Sequence, residues 1–409
     1  MPFAVYALGL AVFAQGTSEF MLSGLVSSIA ADLNVSLSAA GLLTSAFAVG
    51  MVLGAPLMAL FSRTWPRRRA LLLFLAVFVA VHIVGALTPS YGVLLAARFV
   101  GALANAGFWA VALAAVVSMV PDRLTGRATA VVVGGVTVAC VVGVPAGALL
   151  GERWGWRAAF WAVAVVSLPA FVAIVRSIPG GRAPASRESA AAPGPVSVRP
   201  VPVSVPDELR LLTGPRLRPT LLTMALVQGA TFCTFSYLEP LLTRATGLGA
   251  TWVPAALALF GAGAFLGVTV AGRYADRRPT AFIAYGMAAL ALGWTMLALT
   301  AGSPLAALAL TPLMGMLAFG TGTALITRVL GLAPGAPTLA GAFTTGAFNL
   351  GATVGPWAGG LALDAGLGYR APVWVSALLM GLALVTEGAR RLGRARERER
   401  ARECAETGC

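Results

Sequence analysis

Two ionisable residues interrupt long apolar runs and are the first candidates for chemistry. Glu19 lies in the run 4 to 27 and Arg98 in the run 91 to 119, each about eight residues from the same end of its block. An unpaired charge in hydrocarbon costs several kcal/mol, roughly 3 or more by insertion scales, so the two should face each other or share a water-filled cavity. A carboxylate there can load and release a proton as its exposure changes, with a nearby guanidinium tuning that balance. The expected proton-coupling pair is Glu19 and Arg98. A static ion pair that only specifies packing is the competing reading. Glu239 sits near the end of its run before Pro240, placed either to accept a ligand hydrogen bond or a second proton, or to cap an interfacial backbone group. His82, the only histidine, falls near a span end; an imidazole there could relay protons, but it is expected to be an amphipathic anchor. Asp32 reads as a solvated turn residue. Catalytic residues and a metal centre are not expected: no nucleophile–base pair, metal-ligand spacing or GxxxxGK[ST] phosphate loop occurs, and no cofactor is implied.

Polar and aromatic residues within the runs supply a candidate binding surface: Gln15, Phe20, Asn105, Trp109, Gln228, Phe232, Phe235, Tyr237, Thr345 and Asn349, with Glu239 at its edge. Such a wall suits an uncharged aromatic amphiphile with amide and hydroxyl groups.

The elements that must hold these residues are membrane spans. Of 409 residues, 58% are apolar and 11% charged, with mean hydropathy +0.85, against about 25% charged in soluble proteins. Twelve apolar blocks run near 4 to 27, 38 to 61, 70 to 88, 91 to 119, 128 to 150, 158 to 176, 220 to 242, 252 to 272, 280 to 300, 305 to 327, 338 to 362 and 371 to 387. They are numbered spans 1 to 12 below. The expected fold is all-α, with twelve transmembrane helices in two pseudo-symmetric six-helix bundles. The divisions are 1–176, a linker 177–219 with a short surface helix from Asp207 to Leu212, 220–387, and a charged tail 388–409. The tail could lie as a helix along the anionic inner leaflet or simply solubilise the chain end.

The +14 net charge is a topology signal and not a nucleic-acid footprint. With a cytoplasmic N terminus, 24 arginines face the cytoplasm and 4 the opposite side, so both termini are expected to be cytoplasmic in a multi-pass inner-membrane protein. Cys140, Cys233, Cys404 and Cys409 show no disulfide spacing. The first span lacks a positive n-region and is read as retained.

The halves repeat. Sliding by 213 residues matches Gly50 with Gly263, Leu53 with Leu266, Gly54 with Gly267 and Pro66 with Pro279. Gly143-Val144-Pro145-Ala146-Gly147 in span 5 likewise echoes Gly355-Pro356-Trp357-Ala358-Gly359 in span 11. These glycines, with Gly272, are expected to bring helices close, and paired repeats are the architecture of alternating access.

At these residues the chain resembles the major facilitator superfamily. Gly272-Arg273-Tyr274-Ala275-Asp276-Arg277-Arg278-Pro279 is similar to its GxxxDRxGRR loop motif, which in the family forms a cytoplasmic charge latch. The first-half copy departs, with Ala59, Arg63, Thr64 and Pro66, which leaves the latch to Arg67, Arg68 and Arg69. Span 4 resembles the Arg-centred family motif at Arg98, and Gly143 to Gly151 in span 5 resembles the glycine–proline motif of drug:proton antiporters. The opening MPFAVYALGLAVFAQGTSEFMLSGL, with AGLLTSAFAVGMVLGAP, RFVGALANAGF and GWRAAFWAV, resembles actinobacterial chloramphenicol-resistance exporters. The resemblance implies proton-driven efflux of a small neutral aromatic drug by a monomer whose partners are drug, protons and membrane lipid, with no nucleic acid. Export of sugars or endogenous metabolites, and a non-transporting sensor or scaffold, stay open as alternatives.

Overall fold

The computed structural model describes residues 2–62, 65–178, 217–274, 279–332 and 337–407, with backbone alone for 59, 60, 117, 122, 123, 337–342 and 392–407. Described residues form helices and short connections, without strands. Among the described residues, ten helices are long and apolar enough to cross a membrane, or eleven when the bent pair Leu217–Ser236 and Leu238–Ala245 is counted as one span. Span 11, Pro337–Asp364, is the remaining long helix, so all twelve expected segments have a helical counterpart. A chain in lipid must satisfy its backbone within each segment, which is why apolar runs become helices here irrespective of intrinsic propensity. Side chains such as Leu305, Tyr285, Leu378 and Val385 stay exposed and give the bundle an apolar outer surface.

Two large apolar cores form, one mainly from spans 1 to 6 and the other mainly from spans 7 to 12, and they exchange members. Tyr237 packs in the first core, whereas Phe20, Ala48, Cys140, Val144 and Ala148 pack in the second. The matched glycines make equivalent contacts in the two halves. A Cβ at Gly50 or Gly54 would meet span 4 at Phe99 O and Leu103 Cα; at Gly263 or Gly267 it would meet span 10 at Pro312 O and Met316 O. Spans 2 and 4, and spans 8 and 10, therefore pack backbone to backbone, where dispersion and close approach replace the hydrophobic driving force lost in lipid. Gly272 departs from expectation, because an added Cβ there meets nothing within 4 Å.

The halves meet mainly as span 2 on span 11 and span 5 on span 8. Both hydrogen bonds between halves among the described residues lie toward the end that carries Asp32: Ser45 Oγ donates to Thr353 O at 2.8 Å, and Ser27 N–H to Glu239 Oε2 at 3.2 Å. A Cβ at Gly261 of span 8 would collide with the Cys140 carbonyl of span 5. Backbone cannot rotate away, so Gly261→Ala should open this seam at a cost of about 1–3 kcal/mol. With Cys404 and Cys409 replaced by Ser, the expected result is faster maleimide labelling of Cys140, which is otherwise buried.

Three local expectations change. Span 1 is not one helix: Phe3–Phe20 gives way to a 3-10 turn, Met21–Gly24, and then to Val26–Asp32. Asp32 is exposed but not merely solvated; it ends that short helix and accepts hydrogen bonds from Arg157 and Trp156. The Arg157 hydrogen bond holds its carboxyl below the usual range. A lowered carboxyl stabilises above the ordinary range near 4 and ceases to do so as pH falls through its native value. Asp32→Asn should therefore destabilise the fold slightly at neutral pH, by less than about 1 kcal/mol for so exposed a pair, and have no effect in acid, as read from thermal unfolding at the two pH values. The tail, finally, starts no new helix, since span 12 continues unbroken as Ala371–Thr407. The expected helix from Asp207 to Leu212 and most of the linker lie outside the described residues.

Candidate substrate and proton site

Helix Phe3–Phe20 ends midway through span 1 because its next residues tighten into a 3-10 turn, and its last carbonyls need partners from elsewhere. Arg98 supplies one. Its Nη1 donates to Ser18 O at 3.0 Å and to Ser18 Oγ at 2.9 Å. The guanidinium also lies over the Phe47 ring, 4.4 Å from its centroid. A cation at a helix C-terminus opposes the negative end of the dipole, so span 4 caps span 1 with charge.

His82 completes the cluster and is not the interfacial anchor that its place in the sequence suggests. It is buried, with Nε2 2.6 Å from Ser18 Oγ and Nδ1 2.6 Å from Phe78 O. Phe78 and Phe160 pack on the ring at centroid distances of 4.2 and 5.7 Å. These side chains reach over the imidazole, so it is enclosed within the first half and not placed at an interface. A carbonyl only accepts, so Nδ1 carries hydrogen; in the neutral ring Nε2 accepts the Ser18 hydroxyl, which itself accepts from Arg98. The pattern Ser18, His82 and Arg98 is spread over 80 residues and three spans, and no local spacing announces it.

Glu19 is half-buried next to this clamp. It and Arg98 interact through space, but no salt bridge joins them among the described residues: Arg98 gives Nη1 to Ser18, and its buried Nε and Nη2 have no hydrogen-bond partner. Glu239 and Glu387, carboxylates near the ends of spans 7 and 12, are held: Glu239 by Ser27 and Thr243, and Glu387 by Arg328, Arg390 and Arg391. Glu19 alone of the three accepts no hydrogen bond from a described residue.

On the other side of Glu19, the Phe20 ring leaves its own half. It stacks on Phe232 at 5.8 Å and meets Phe235 edge-on at 6.3 Å. Phe235 contacts Phe260 at 4.8 Å, Phe232 contacts Phe348 at 5.5 Å, and Phe260 contacts Phe319 at 6.2 Å. The structure thus joins three expected aromatic residues to three that sequence reasoning passed over, Phe260, Phe319 and Phe348. A phenylalanine in a span is far more often lipid-facing or core, and only the fold singles these out.

The remaining expected site residues are dispersed. Gln15 is fully buried with both amide atoms unpartnered; Asn105 Oδ1 and Asn349 Oδ1 are also unpartnered. Buried polar atoms of this kind require water or a ligand. Asn105 donates to Met51 Sδ at 3.5 Å and Asn349 to Thr345 O at 3.0 Å. Gln228 is buried, and a Cβ at Gly322 would meet its Nε2 at 2.8 Å. Trp109 packs against the first core, away from the Phe20 cluster. Tyr237 donates to Pro356 O at 2.9 Å, and its hydroxyl abuts Gly41 and Gly360, which makes it a strut between spans 7, 2 and 11.

Of the expected conformational residues, Gly143 ends a π-helical turn, Ala139–Gly143, just before Pro145. Its Cα faces Thr17, and Gly147 faces Met21, so span 5 lies tightly along the broken stretch of span 1. Gly355, next to Pro356, packs on the Gly229 carbonyl of span 7. Arg67 donates to Ser118 Oγ within its own half and not across the seam. Arg68 and Arg69 open the same helix, Arg67–Leu87. Asp276 and Arg277, like Arg63, lie outside the described residues.

Residues 8–347 match the Major Facilitator Superfamily. The chain is 51% identical over 385 residues to a chloramphenicol resistance protein of Streptomyces lividans, covering 94% of this chain and 95% of that one. It is 33% identical over 383 residues to the inner membrane transport protein YdhP of Escherichia coli (strain K12), covering 94% of each. Among solved structures, a bacterial homolog of the human lysosomal transporter Spinster, in an inward-facing and unoccupied conformation, superposes with TM-score 0.70 at 17% identity, covering 95% of each chain. Matched glycine seams, paired cores and this match over most of the chain lead to one conclusion: the chain belongs to the Major Facilitator Superfamily and is a multi-pass membrane transporter, not an enzyme.

Proposed function

We propose that the protein exports a small neutral aromatic antibiotic, chloramphenicol first, in exchange for protons by alternating access across the cytoplasmic membrane. The observation that carries the coupling is Glu19, an intramembrane carboxylate that accepts no hydrogen bond from a described residue and lies beside a guanidinium fixed to Ser18. A group so placed changes protonation when its exposure changes. The aromatic cluster and unpartnered Gln15, Asn105 and Asn349 amides supply ring stacking and hydrogen bonds for such a drug. The name of the 51% identical relative supports the choice of drug.

With both termini cytoplasmic, as the arginine distribution favours, the seam near Asp32 lies on the external side. Drug enters from the cytoplasm or inner leaflet, closure behind it exposes the site outward, and proton entry at Glu19 promotes release and return. No cofactor is invoked; the proton gradient drives the cycle. Reconstituted vesicles with an imposed gradient, assayed across a panel of aromatic drugs and sugars, test this reading. Gradient-dependent chloramphenicol accumulation is the expected result, and transport of polyhydroxyl compounds alone would replace the drug assignment.

A further inference from the structure

Ser18, Glu19 and Phe20 are consecutive, yet the two flanking residues belong to different halves. Ser18 is clamped within the first half by Arg98 and His82. Phe20 packs in the second core, its ring on Phe232 and Phe235, which in turn contact Phe348 and Phe260 and so extend the cage beyond Phe20 itself. Glu19 is the link. Phe20 also ends its helix at a 3-10 turn, a point where a small rotation moves the side chain without unwinding a regular segment. Phe348 is only half-buried, so the cage keeps an open edge.

We infer that this cage is the aryl subsite of the transporter and that Phe20 is its resident plug, displaced by the substrate's ring. The inference rests on the reading that the centre carries an aromatic substrate, and adds where the ring goes and what it evicts. Eviction has a direct consequence for the proton. With Ser18 held by Arg98, release of Phe20 turns the peptide between them, and the Glu19 carboxylate turns with it. Drug occupancy and carboxylate exposure are then one event. A wall residue would instead gain contacts when drug binds.

The two roles predict opposite signs. As a plug, Phe20 competes with ligand, so Phe20→Ala should tighten chloramphenicol binding in nanodiscs roughly threefold to tenfold, the worth of one to two aromatic contacts. Drug-driven proton movement should fall at the same time. Phe232→Ala, which damages the cage itself, should weaken binding. Because truncation creates a void that any ring can fill, a second measurement keeps residue 20 aromatic: 4-fluorophenylalanine at position 20, followed by fluorine NMR during titration with 4-nitrobenzyl alcohol. A saturable move of the resonance to a solvent-exposed position supports eviction. An unmoved resonance at saturation, or weaker drug binding by Phe20→Ala, overturns it. If chloramphenicol neither binds nor is transported, the choice of drug falls, and the 4-nitrobenzyl alcohol titration still decides the plug: binding with a moved resonance sustains it, and absence of binding refutes it.

Discussion

Drug-dependent proton movement in vesicles carrying Glu19→Gln should fall to background, and chloramphenicol should equilibrate where the parent protein concentrates it. Glutamine keeps the size and hydrogen-bonding reach of glutamate but cannot exchange a proton, so the substitution isolates the titration. The effect is large because the driving force is lost entirely. One proton moving inward per neutral drug carries one charge, which at ~150 mV supplies about 3.5 kcal/mol. That corresponds to a concentration ratio of roughly a few hundred. Glu239→Gln is the informative control: its carboxylate already accepts from Ser27 and Thr243, so it should shift the conformational balance and leave the coupling ratio alone. Unchanged proton flux in Glu19→Gln would remove this residue from the role.

Arg98→Ala should sharply reduce the yield of monodisperse protein, and Arg98→Lys should restore much of it. The guanidinium donates twice to Ser18 at the end of a helix and rests on Phe47. Hydrogen bonds to a charged group contribute about 1.5–3 kcal/mol, and the deserted carbonyl would have no water to turn to. Lysine retains a donor and the charge opposite the helix end, but it lacks the planar fork that spans carbonyl and hydroxyl. The lysine variant is therefore expected to fold while its transport shows a displaced pH profile, since the cation nearest Glu19 has moved. Size-exclusion profiles and thermal unfolding report the first effect, and vesicle uptake at several pH values the second. A lysine variant with parental pH dependence would limit Arg98 to packing.

The spans were legible because twenty apolar residues have only one stable solution in lipid, and the matched glycines were legible because close approach permits no side chain. Gly50, Gly54, Gly263 and Gly267 pack as their spacing suggested. The breaks were not legible. Nothing in GTSEFMLSG forbids a continuous helix, and the turn at Met21–Gly24 is imposed by what span 5 and the second half place around it. Span 5 announced its irregularity through Pro145, yet the distortion falls on the preceding five residues, where the lost hydrogen bond has its effect. Glu19 and Arg98 stood out because charge in hydrocarbon is rare. Ser18, His82, Phe260 and Phe348 did not, since hydroxyls and phenylalanines are ordinary in spans and acquire meaning only from neighbours tens to hundreds of residues away.

The unbroken helix Ala371–Thr407 has 37 residues and, at 1.5 Å each, measures about 55 Å. A hydrocarbon layer is only about 30 Å thick. Some 25 Å of rigid rod is left over, enough to hold a fluorescent reporter fused past Thr407 clear of the lipid headgroups, where its rotation would follow the last span instead of a slack tether.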